Sequence, residues 1–290
     1  MSASTNKIGK GYVVGSTLLS AFIVLLILVV LIANSWSAVS ANGWSLLSFK
    51  WNPPTQQFGI LTMLYGTILV TSIALFLAIP LGIFTAFFTS EILPSKYRIL
   101  VKSMLELLAG IPSIIYGLIG VAFLSIWVQN VFDLQTGRTF LTAGVLLAIM
   151  ILPTVITLTD DALQNVPDKY REAALGLGLY KYEVVKYALL PIAKRNIVGA
   201  ILLAFGRAMG ETMAVMLVIG SLDKMPQPFY NVLSSGQTIT SKLGREISES
   251  SFGSVHFSAM IFMGLLLLSI VMVLTIVAQR NFKTEDRLYD

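Results

Sequence analysis

Residues 159–178 read TDDALQNVPDKYREAALGLG, a charged segment that stands between two long apolar stretches of the chain. Pro167 suits the first position of a helix, and Asp168 would stabilise the positive end of the helix dipole in the first turn. Gly178 permits a sharp reversal of the backbone. A second amphipathic run follows at residues 179–190. The segment therefore predicts a compact, exposed helix–turn–helix.

The stretches around this segment are too apolar for a soluble protein. The chain has 290 residues, of which 56% are hydrophobic and 12% are charged, and its mean hydropathy is +0.80. A soluble domain carries about 25% charged residues. No charged residue occurs between Lys10 and Lys50 or between Arg138 and Asp160. The composition therefore indicates a polytopic membrane protein and excludes a soluble globular enzyme.

Six apolar stretches are each long enough to cross a bilayer, whose core takes about 20 helical residues. They are predicted to be helical, because open strands cannot satisfy their backbone groups in lipid. Their bounds are 12–33, 61–89, 104–131, 139–159, 196–220 and 257–279. The sequence thus predicts an all-α membrane protein with six transmembrane helices.

The basic residues indicate the orientation of these helices. Fourteen of the twenty lie at the termini and in the second and fourth connecting segments, and five lie in the other segments. The positive-inside rule then places both termini and the even-numbered segments in the cytoplasm. The net charge of +5 therefore reflects topology and does not indicate nucleic-acid binding.

One basic residue, Arg207, stands inside the fifth predicted span, about 15 Å from its start at a rise of 1.5 Å per residue. An arginine near the midplane costs about 3 kcal/mol, so it must face protein or water. Glu211 follows one helical turn later, and the two side chains are predicted to pair. Gly206 and Gly210 form a GxxxG edge on which a neighbouring helix can pack.

Two interpretations of Arg207 remain open. It forms a buried ion pair that fixes helix packing, or it lies in a binding site for an anion. A guanidinium offers a fork of donors that matches an oxyanion, and it stays charged at physiological pH. The second interpretation implies phosphate or a similar tetrahedral ion, with Glu211 accepting the proton of hydrogen phosphate. Ser113 is a candidate hydroxyl donor, and Pro112 and Pro153 are predicted helix kinks or parts of a gate.

Residue types that catalyse reactions or bind metals are scarce. The chain has no cysteine and one histidine, His256, so it has no disulfide framework, thiolate site or histidine cluster. No catalytic residue and no metal site are predicted, and His256 is expected to be solvated at the outer surface. Glu91 and Glu106 fall near inner helix ends and are expected to be interfacial.

The charged segment resembles the EAA loop of ABC-importer permeases. The residues that carry the resemblance are Glu172, Ala173, Ala174, Gly178 and Pro191. The family pattern is E-A-A-x3-G-x9-I-x-L-P, and this chain departs from it at Ala188, where the family has isoleucine. The resemblance implies that the loop docks into a cytoplasmic ATPase. Both alanines would lie against that partner, the glutamate would meet its polar rim, and the glycine would form the turn.

Three further segments resemble the phosphate-specific permeases of this class. They are GRAMGETMAV at 206–215, LLAGIPSIIYG at 107–117 and ILPT at 151–154. Over about residues 58–280 the chain is similar to the PstC family, and the run at 212–215 favours it over the sister family PstA. The resemblance implies the type I, MetI-like permease fold and a place in the inner membrane of a bacterium.

The resemblance also implies partners and an energy source. This chain would pair with a PstA-like sister permease and form half of the translocation pathway, working by alternating access. A PstB-like ATPase dimer would hold ATP and Mg, and a PstS-like extracytoplasmic protein would deliver phosphate. The chain itself would bind no cofactor, and it has no GxxxxGK[ST] nucleotide motif.

The predicted organisation has three parts. Residues 1–57 form an anchor helix and the first extracytoplasmic loop, residues 58–280 form the permease core, and residues 281–290 form a cytoplasmic tail. The coupling loop occupies residues 160–195 within the core. A permease for another oxyanion and the sister PstA-type subunit remain open as alternatives. An ion-driven secondary transporter ranks lower, because such proteins normally show internal repeats and several intramembrane acids.

Overall fold

The computed structural model describes residues 2–286 and, within them, the side chains of 10–94, 96–278 and 280. The helices are α1 Ser2–Asn42, α2 Leu61–Phe87, α3 Ser95–Ala109, α4 Ser113–Ile119, α5 Ile126–Val131, α6 Phe140–Gln164, α7 Asp168–Gly176, α8 Lys181–Glu183, α9 Leu190–Gly210, α10 Met213–Val218, α11 Ile239–Glu246 and α12 Val255–Asp286. Three π-helical turns join or extend them, at Phe88–Ile92, Gly120–Ser125 and Val184–Leu189. Strands β1 Trp51–Asn52 and β2 Gln57–Phe58 pair as an antiparallel hairpin. The end of the predicted tail, 287–290, lies outside the described residues.

Six helical stretches of the described chain are long and apolar enough to cross a membrane. They are Lys10–Leu47, Leu61–Ile92, Ser113–Val131, Phe140–Gln164, Lys181–Gly210 and Val255–Ala278. The predicted number of spans is confirmed, and the chain is a mostly helical, multi-pass membrane protein. The predicted boundaries of the third and fifth spans are wrong.

The third span begins at Ser113, nine residues later than predicted. The preceding residues belong to α3, a separate amphipathic helix that lies beside α6, with Lys102 Nζ 2.6 Å from Asp161 Oδ1. Pro112 has an extended backbone with ψ 136° and stands between α3 and α4. A proline disfavours the helical conformation in the residue before it. The predicted kink at Pro112 is therefore a complete helix break.

The fifth span begins earlier than predicted and is continuous from Lys181 to Gly210. The predicted end of the amphipathic run at Pro191 is wrong, because the π-turn Val184–Leu189 leads directly into α9. Proline is tolerated there because the π-turn just before it interrupts the regular α-helical hydrogen-bond pattern. At its other end α9 stops at Gly210, and α10 starts only at Met213. The single helix predicted for this span is therefore broken.

The segment after α1, which is predicted to be extracytoplasmic, folds into a small cap, the outer cap, formed by the β1–β2 hairpin. The hairpin buries Trp51 and Phe58. His256, near the start of α12, stacks on Phe58 with the ring centroids 5.6 Å apart. The expectation that His256 is solvated is therefore wrong, because the cap covers its ring.

The segment between α10 and α12 returns into the helix bundle. Four residues in the first turn of α11 are buried. The Thr238 side chain caps this helix, and the N–H of Ile239 donates to Thr67 Oγ1 of α2 at 2.9 Å. Gly66 permits this close approach, since a Cβ there would lie 2.0 Å from the carbonyl oxygen of Gln237. The polar composition of this segment predicts a loop, and the structure shows a re-entrant helix.

Helices α2 and α6 form the centre of the bundle. Gly82 of α2 faces Val155, and Gly144 of α6 faces Ile73, where added Cβ atoms would lie 2.6 and 2.5 Å from those side chains. Helix α6 is not broken at Pro153, where the sequence predicts a kink or part of a gate. The two glycines therefore set the distance between the two helices.

The predicted packing edge at Gly206 and Gly210 is not used inside this chain. The nearest side-chain atom to a Cβ on Gly206 would be Val271 Cγ1, at 4.0 Å. A Cβ on Gly210 would meet nothing in the described chain within 4 Å. No helix of the described chain therefore packs closely here, and the edge stays a prediction for a neighbouring helix.

Candidate functional site

Arg207 lies in the last turn of α9, where the negative end of the helix dipole favours a cation. Its side chain is exposed, and its Nη1 donates a hydrogen bond to Thr154 Oγ1 of α6 at 3.0 Å. Among the side chains that the structure describes, the guanidinium makes no other hydrogen bond or ion pair. Its remaining N–H donors are therefore available to a ligand.

The predicted ion pair between Arg207 and Glu211 is wrong, since no such contact exists among the described residues. Glu211 has φ −68° and ψ 124°, so it has left the helix and no longer follows Arg207 by one helical turn. Its Oε1 accepts a hydrogen bond from the N–H of Ala214 at 3.1 Å, at the start of α10. Its carbonyl oxygen accepts one from Thr240 Oγ1 at 2.7 Å. The helix break redirects the carboxylate to α10.

A groove of about 850 Å³ runs along α9, beside α6 and α12. Arg207 lies toward one end, and Asp161 and Arg195 lie toward the other, where α6 ends and α9 begins. The two arginines are twelve residues apart on α9, which corresponds to about 18 Å. Most of the lining residues are apolar, so charges in this Arg207 groove interact more strongly than in bulk water.

Helix α11 lies against the break between α9 and α10, just beyond Arg207. Thr240 holds the carbonyl of Glu211, as described above. Gly244 fits closely against Thr212, where an added Cβ would lie 2.8 Å from Thr212 Cγ2. Helix α11 therefore holds the two residues that follow α9, Glu211 and Thr212.

The structure does not bring Ser113 to the arginine. Ser113 is the first residue of α4, is half-buried, and does not line the Arg207 groove. Tyr116 lies one turn later in α4 and is buried. Its hydroxyl donates to the carbonyl of Leu108 at 2.8 Å, across the break before α4. This hydrogen bond therefore connects α4 to α3.

The turn predicted at Gly178 is confirmed. Gly178 has φ +81°, a conformation that glycine adopts easily and other residues avoid. Its N–H donates to the carbonyl of Leu175 at 2.9 Å, and the N–H of Leu179 donates to that of Ala174 at 3.3 Å. These two bonds close α7 as a Schellman motif. Helix α7 therefore reverses onto the helical segment that begins at Lys181.

The two motif alanines lie on different faces of α7. Ala174 is 6% exposed and belongs to an apolar cluster with residues of the π-turn Val184–Leu189. Glu172 and Ala173 are exposed. The expectation that both alanines face a partner is wrong for Ala174, because each residue turns a helix by about 100°.

Lys242 is a buried cation of α11, in a segment whose polar composition predicts a loop. Its side chain is 1% exposed, and its Nζ lies 2.5 Å from both Asp223 Oδ2 and Glu246 Oε1. The ammonium also lies 5.0 Å from the centroid of the Trp51 ring. Lys242 therefore joins α11 to the outer cap. In the sequence, the four-residue spacing of Lys242 and Glu246 is the signal that could have indicated an ion pair on one helix face.

Lys242→Ala is expected to lower the free energy of unfolding by about 3 kcal/mol, since it leaves two partly buried carboxylates without their cation. Thermal unfolding in detergent, followed by tryptophan fluorescence, measures the change. Lys224→Ala is the matched control, because Lys224 is exposed and surface changes alter stability by about 0.5 kcal/mol or less. Equal losses in the two variants would contradict a structural role for Lys242.

The chain belongs to the family of binding-protein-dependent transport system inner membrane components, whose model matches residues 78–283. Its fold resembles that of a bacterial ABC transporter involved in the import of the acidic polysaccharide alginate, with a TM-score of 0.64 at 15% identity, covering 95% of this chain and 98% of that one. It also resembles the inward-facing MetNI methionine ABC transporter, with a TM-score of 0.61 at 16% identity, covering 81% and 99%. The predicted permease fold is confirmed.

Two relatives show which permeases of this class the chain is similar to in sequence. The phosphate transport system permease protein PstC of Mesorhizobium japonicum is 35% identical over 288 residues, which cover 91% of this chain and 87% of the relative. The PstC protein of Haemophilus influenzae is 32% identical over 273 residues, covering 87% and 85%. The likeness to these permeases therefore extends over nearly the whole length of both chains.

Proposed function

We propose that the chain is the PstC-type permease subunit of an ATP-driven phosphate importer. The names of its relatives support the substrate, and Arg207 is the structural observation that carries the proposal. Its guanidinium lines an apolar groove and has Thr154 as its one side-chain partner in the described chain. Its free donors match a tetrahedral oxyanion, which would also supply the missing counter-charge.

The proposed orientation places both termini and α7 on the cytoplasmic side, in line with the excess of basic residues there. A PstB-like ATPase dimer, which holds ATP and Mg, would dock on the exposed face of α7 at Glu172 and Ala173. A PstS-like phosphate-binding protein would meet the outer cap on the opposite side. The permease itself would supply no catalytic group and bind no metal.

A PstA-like sister permease would complete the pathway. The Arg207 groove lies at the surface of this chain, and the Gly206–Gly210 edge beside it carries no closely packed helix in the described chain. Small residues permit the close approach of a helix within a membrane. The sister subunit would therefore occupy this edge, and Arg207 would face a pathway formed between two chains.

Coupling would use the continuous helical segment from Lys181 to Gly210. Helix α7 packs on the π-turn at the start of this segment through Ala174, and Arg207 lies near its end. Closure of the ATPases would displace α7 and, with it, the helix that carries Arg207. Alternating access would then require α11 to move away from residues 211–212, between α9 and α10. This movement would open the outer end of the pathway.

Glu211 and Ser113 remain predictions as contacts of the ion. In this structure the Glu211 carboxylate caps α10, so accepting the proton of hydrogen phosphate would require its side chain to rotate. Ser113 would reach the pathway only if α4 moved. Both roles therefore belong to a conformation other than the present one.

Thr154→Val is expected to lower phosphate uptake about fivefold, since one hydrogen bond that positions Arg207 contributes about 1 kcal/mol. Initial uptake rates at several phosphate concentrations measure the effect. Thr157→Val is the matched control on the same helix, because Thr157 bonds only to carbonyls of α6. Equal uptake by the Thr154→Val variant and the wild type would show that this contact does not position the arginine.

The proposed function is tested by uptake of labelled phosphate and labelled sulfate into vesicles that contain the four-component complex. We expect ATP-dependent uptake of phosphate and little uptake of sulfate. Preferential uptake of sulfate would identify a permease for another oxyanion. Uptake driven by an ion gradient without ATP would identify a secondary transporter and overturn the proposal.

A further inference from the structure

The coupling helix α7 has an ionic attachment besides its apolar cluster. Arg171 Nη2 lies 2.7 Å from Glu91 Oε1, and the two side chains are 26% and 12% exposed. Glu91 lies one residue before the end of the second span, which agrees with the expected interfacial position, and its carboxylate is paired with Arg171. The hydrogen bond to Glu91 raises the pKa of the Arg171 guanidinium above its usual value, which agrees with a firmly ionised pair.

Arg171 also contacts Asp168, but this second contact lies within α7 itself. Arg171 Nη1 is 2.7 Å from Asp168 Oδ1, and the Asp168 side chain is 82% exposed. Exposed ion pairs contribute little to stability. A contact inside one helix also transmits no displacement to another helix. The Glu91 contact is therefore the one that connects α7 to a different element.

Glu91 lies in the π-turn Phe88–Ile92 at the end of α2, and this turn is held from two further sides. Arg98 of α3 donates from Nε to the carbonyl of Thr89 at 2.8 Å and from Nη2 to the carbonyl of Ser90. Thr89 Oγ1 donates to Asp160 Oδ1 of α6 at 3.0 Å. The turn therefore joins α2, α3 and α6 and, through Glu91, the coupling helix.

Helix α6 connects this turn to the Arg207 groove. Asp160 is buried and also accepts a hydrogen bond from the Gln164 side chain, one turn later. Thr154, which holds Arg207, stands six residues before Asp160 on the same uninterrupted helix. This spacing corresponds to about 9 Å along the helix axis. A displacement of the π-turn therefore reaches the arginine through one rigid element.

We infer that Glu91 and Arg171 are positioning residues that attach the coupling helix to α2 and α6. They give the movement of α7 a second route to Arg207, in addition to the route along α9. With both routes intact, the arginine and Thr154 move together and the anion site keeps its geometry. Without the Glu91 contact, α9 moves alone and the site is distorted. The inference rests on the proposed function, because it requires an ATPase that drives α7.

The test measures phosphate transported per ATP hydrolysed by the purified four-component complex in vesicles. We expect Glu91→Gln to lower this ratio about 10-fold, a typical size for coupling between two sites. Arg171→Gln should lower it equally, and the double variant should be no worse than either single variant. Asp168→Asn is the matched control, since it removes the other contact of Arg171, and it should keep the wild-type ratio.

The outcomes separate this inference from the proposed function. A wild-type complex that takes up no phosphate would overturn the proposed function itself. A wild-type complex that transports phosphate while Glu91→Gln keeps the normal ratio would overturn the inference alone. A loss of uptake and ATP hydrolysis in equal proportion, or a defect in Asp168→Asn as large as in Glu91→Gln, would also overturn it.

A second measurement applies if Glu91→Gln reduces assembly of the complex. The chain contains no cysteine, so E91C/R171C can be bridged with a short bis-methanethiosulfonate in a complex whose other subunits lack cysteine. Before bridging, the transport ratio should be low, and bridging should raise it at least threefold. Reduction of the bridge should lower it again, and an unchanged ratio after bridging would contradict the inference.

Discussion

Arg207→Gln is expected to reduce ATP-dependent phosphate uptake at least about 100-fold. The variant removes two or more charge-assisted hydrogen bonds to the anion, each of which contributes about 1.5–3 kcal/mol. Among the lining residues that the structure describes, the other cation is Arg195. It lies about 18 Å away along α9 and does not replace the lost charge. Arg207 is exposed and contributes one hydrogen bond between α6 and α9, so the helix pair should assemble without it. Uptake of labelled phosphate into vesicles, normalised to assembled complex, measures the loss.

Two control variants separate charge from geometry at this site. Arg207→Lys keeps the positive charge but loses the planar fork, so it should retain uptake between those of the glutamine variant and the wild type. Arg138→Gln removes an exposed arginine far along the chain from the groove and should leave uptake unchanged. Wild-type uptake by Arg207→Gln would show that the arginine has only a packing role. The main structural argument that the substrate is phosphate would then be lost.

Gly178→Val is expected to lower the amount of phosphate transported per ATP at least about 10-fold. A β-branched residue is strongly disfavoured at φ +81°, and a left-handed conformation costs about 1–2 kcal/mol for ordinary residues. The Schellman closure of α7 would open, and the docking face would change its angle to the segment that begins at Lys181. Parallel assays of ATP hydrolysis and uptake in the reconstituted complex measure the ratio.

Two further variants show whether backbone strain is the cause. Gly178→Asn adds a side chain of similar bulk that tolerates the left-handed region, so it should recover most of the ratio. Gly176→Val, two residues earlier, needs no positive φ and meets no neighbouring atom in the described chain within 4 Å. It should behave like wild type. If all three variants failed equally, contact with the ATPase and not the turn geometry would be the sensitive feature.

The number of spans and the identity of the coupling loop follow from the sequence, because both depend on local properties. Hydropathy over about 20 residues decides whether a helix suits a bilayer. The spacing from Glu172 to Pro191 marks the loop, and the glycine at position 178 marks its turn. The span boundaries at Ser113 and Lys181 were harder to predict. Apolar composition continues across Ser113, although the helix breaks there. The charged residues that follow Lys181 conceal the continuity of that segment with α9.

The partners of the charged residues did not follow from the sequence. The rule that residues four apart share a helix face predicts the pair of Arg207 and Glu211, but it holds only if the helix continues. Because α9 ends at Gly210, the arginine bonds instead to Thr154, 53 residues away in the chain. Lys242 is similar, since a polar loop composition conceals a helix that is buried by its neighbours.

The sequence by itself determined that this is a six-span membrane protein with an EAA-type loop and one arginine within a span. The tertiary structure alone decided what that arginine contacts, that α11 returns into the bundle, and that Glu91 holds Arg171 across 80 residues of chain. The physical reason is one of range. Hydropathy and helical periodicity are summed over neighbouring residues, whereas hydrogen bonds and ion pairs require atoms within about 3 Å, which only the packing of distant helices provides.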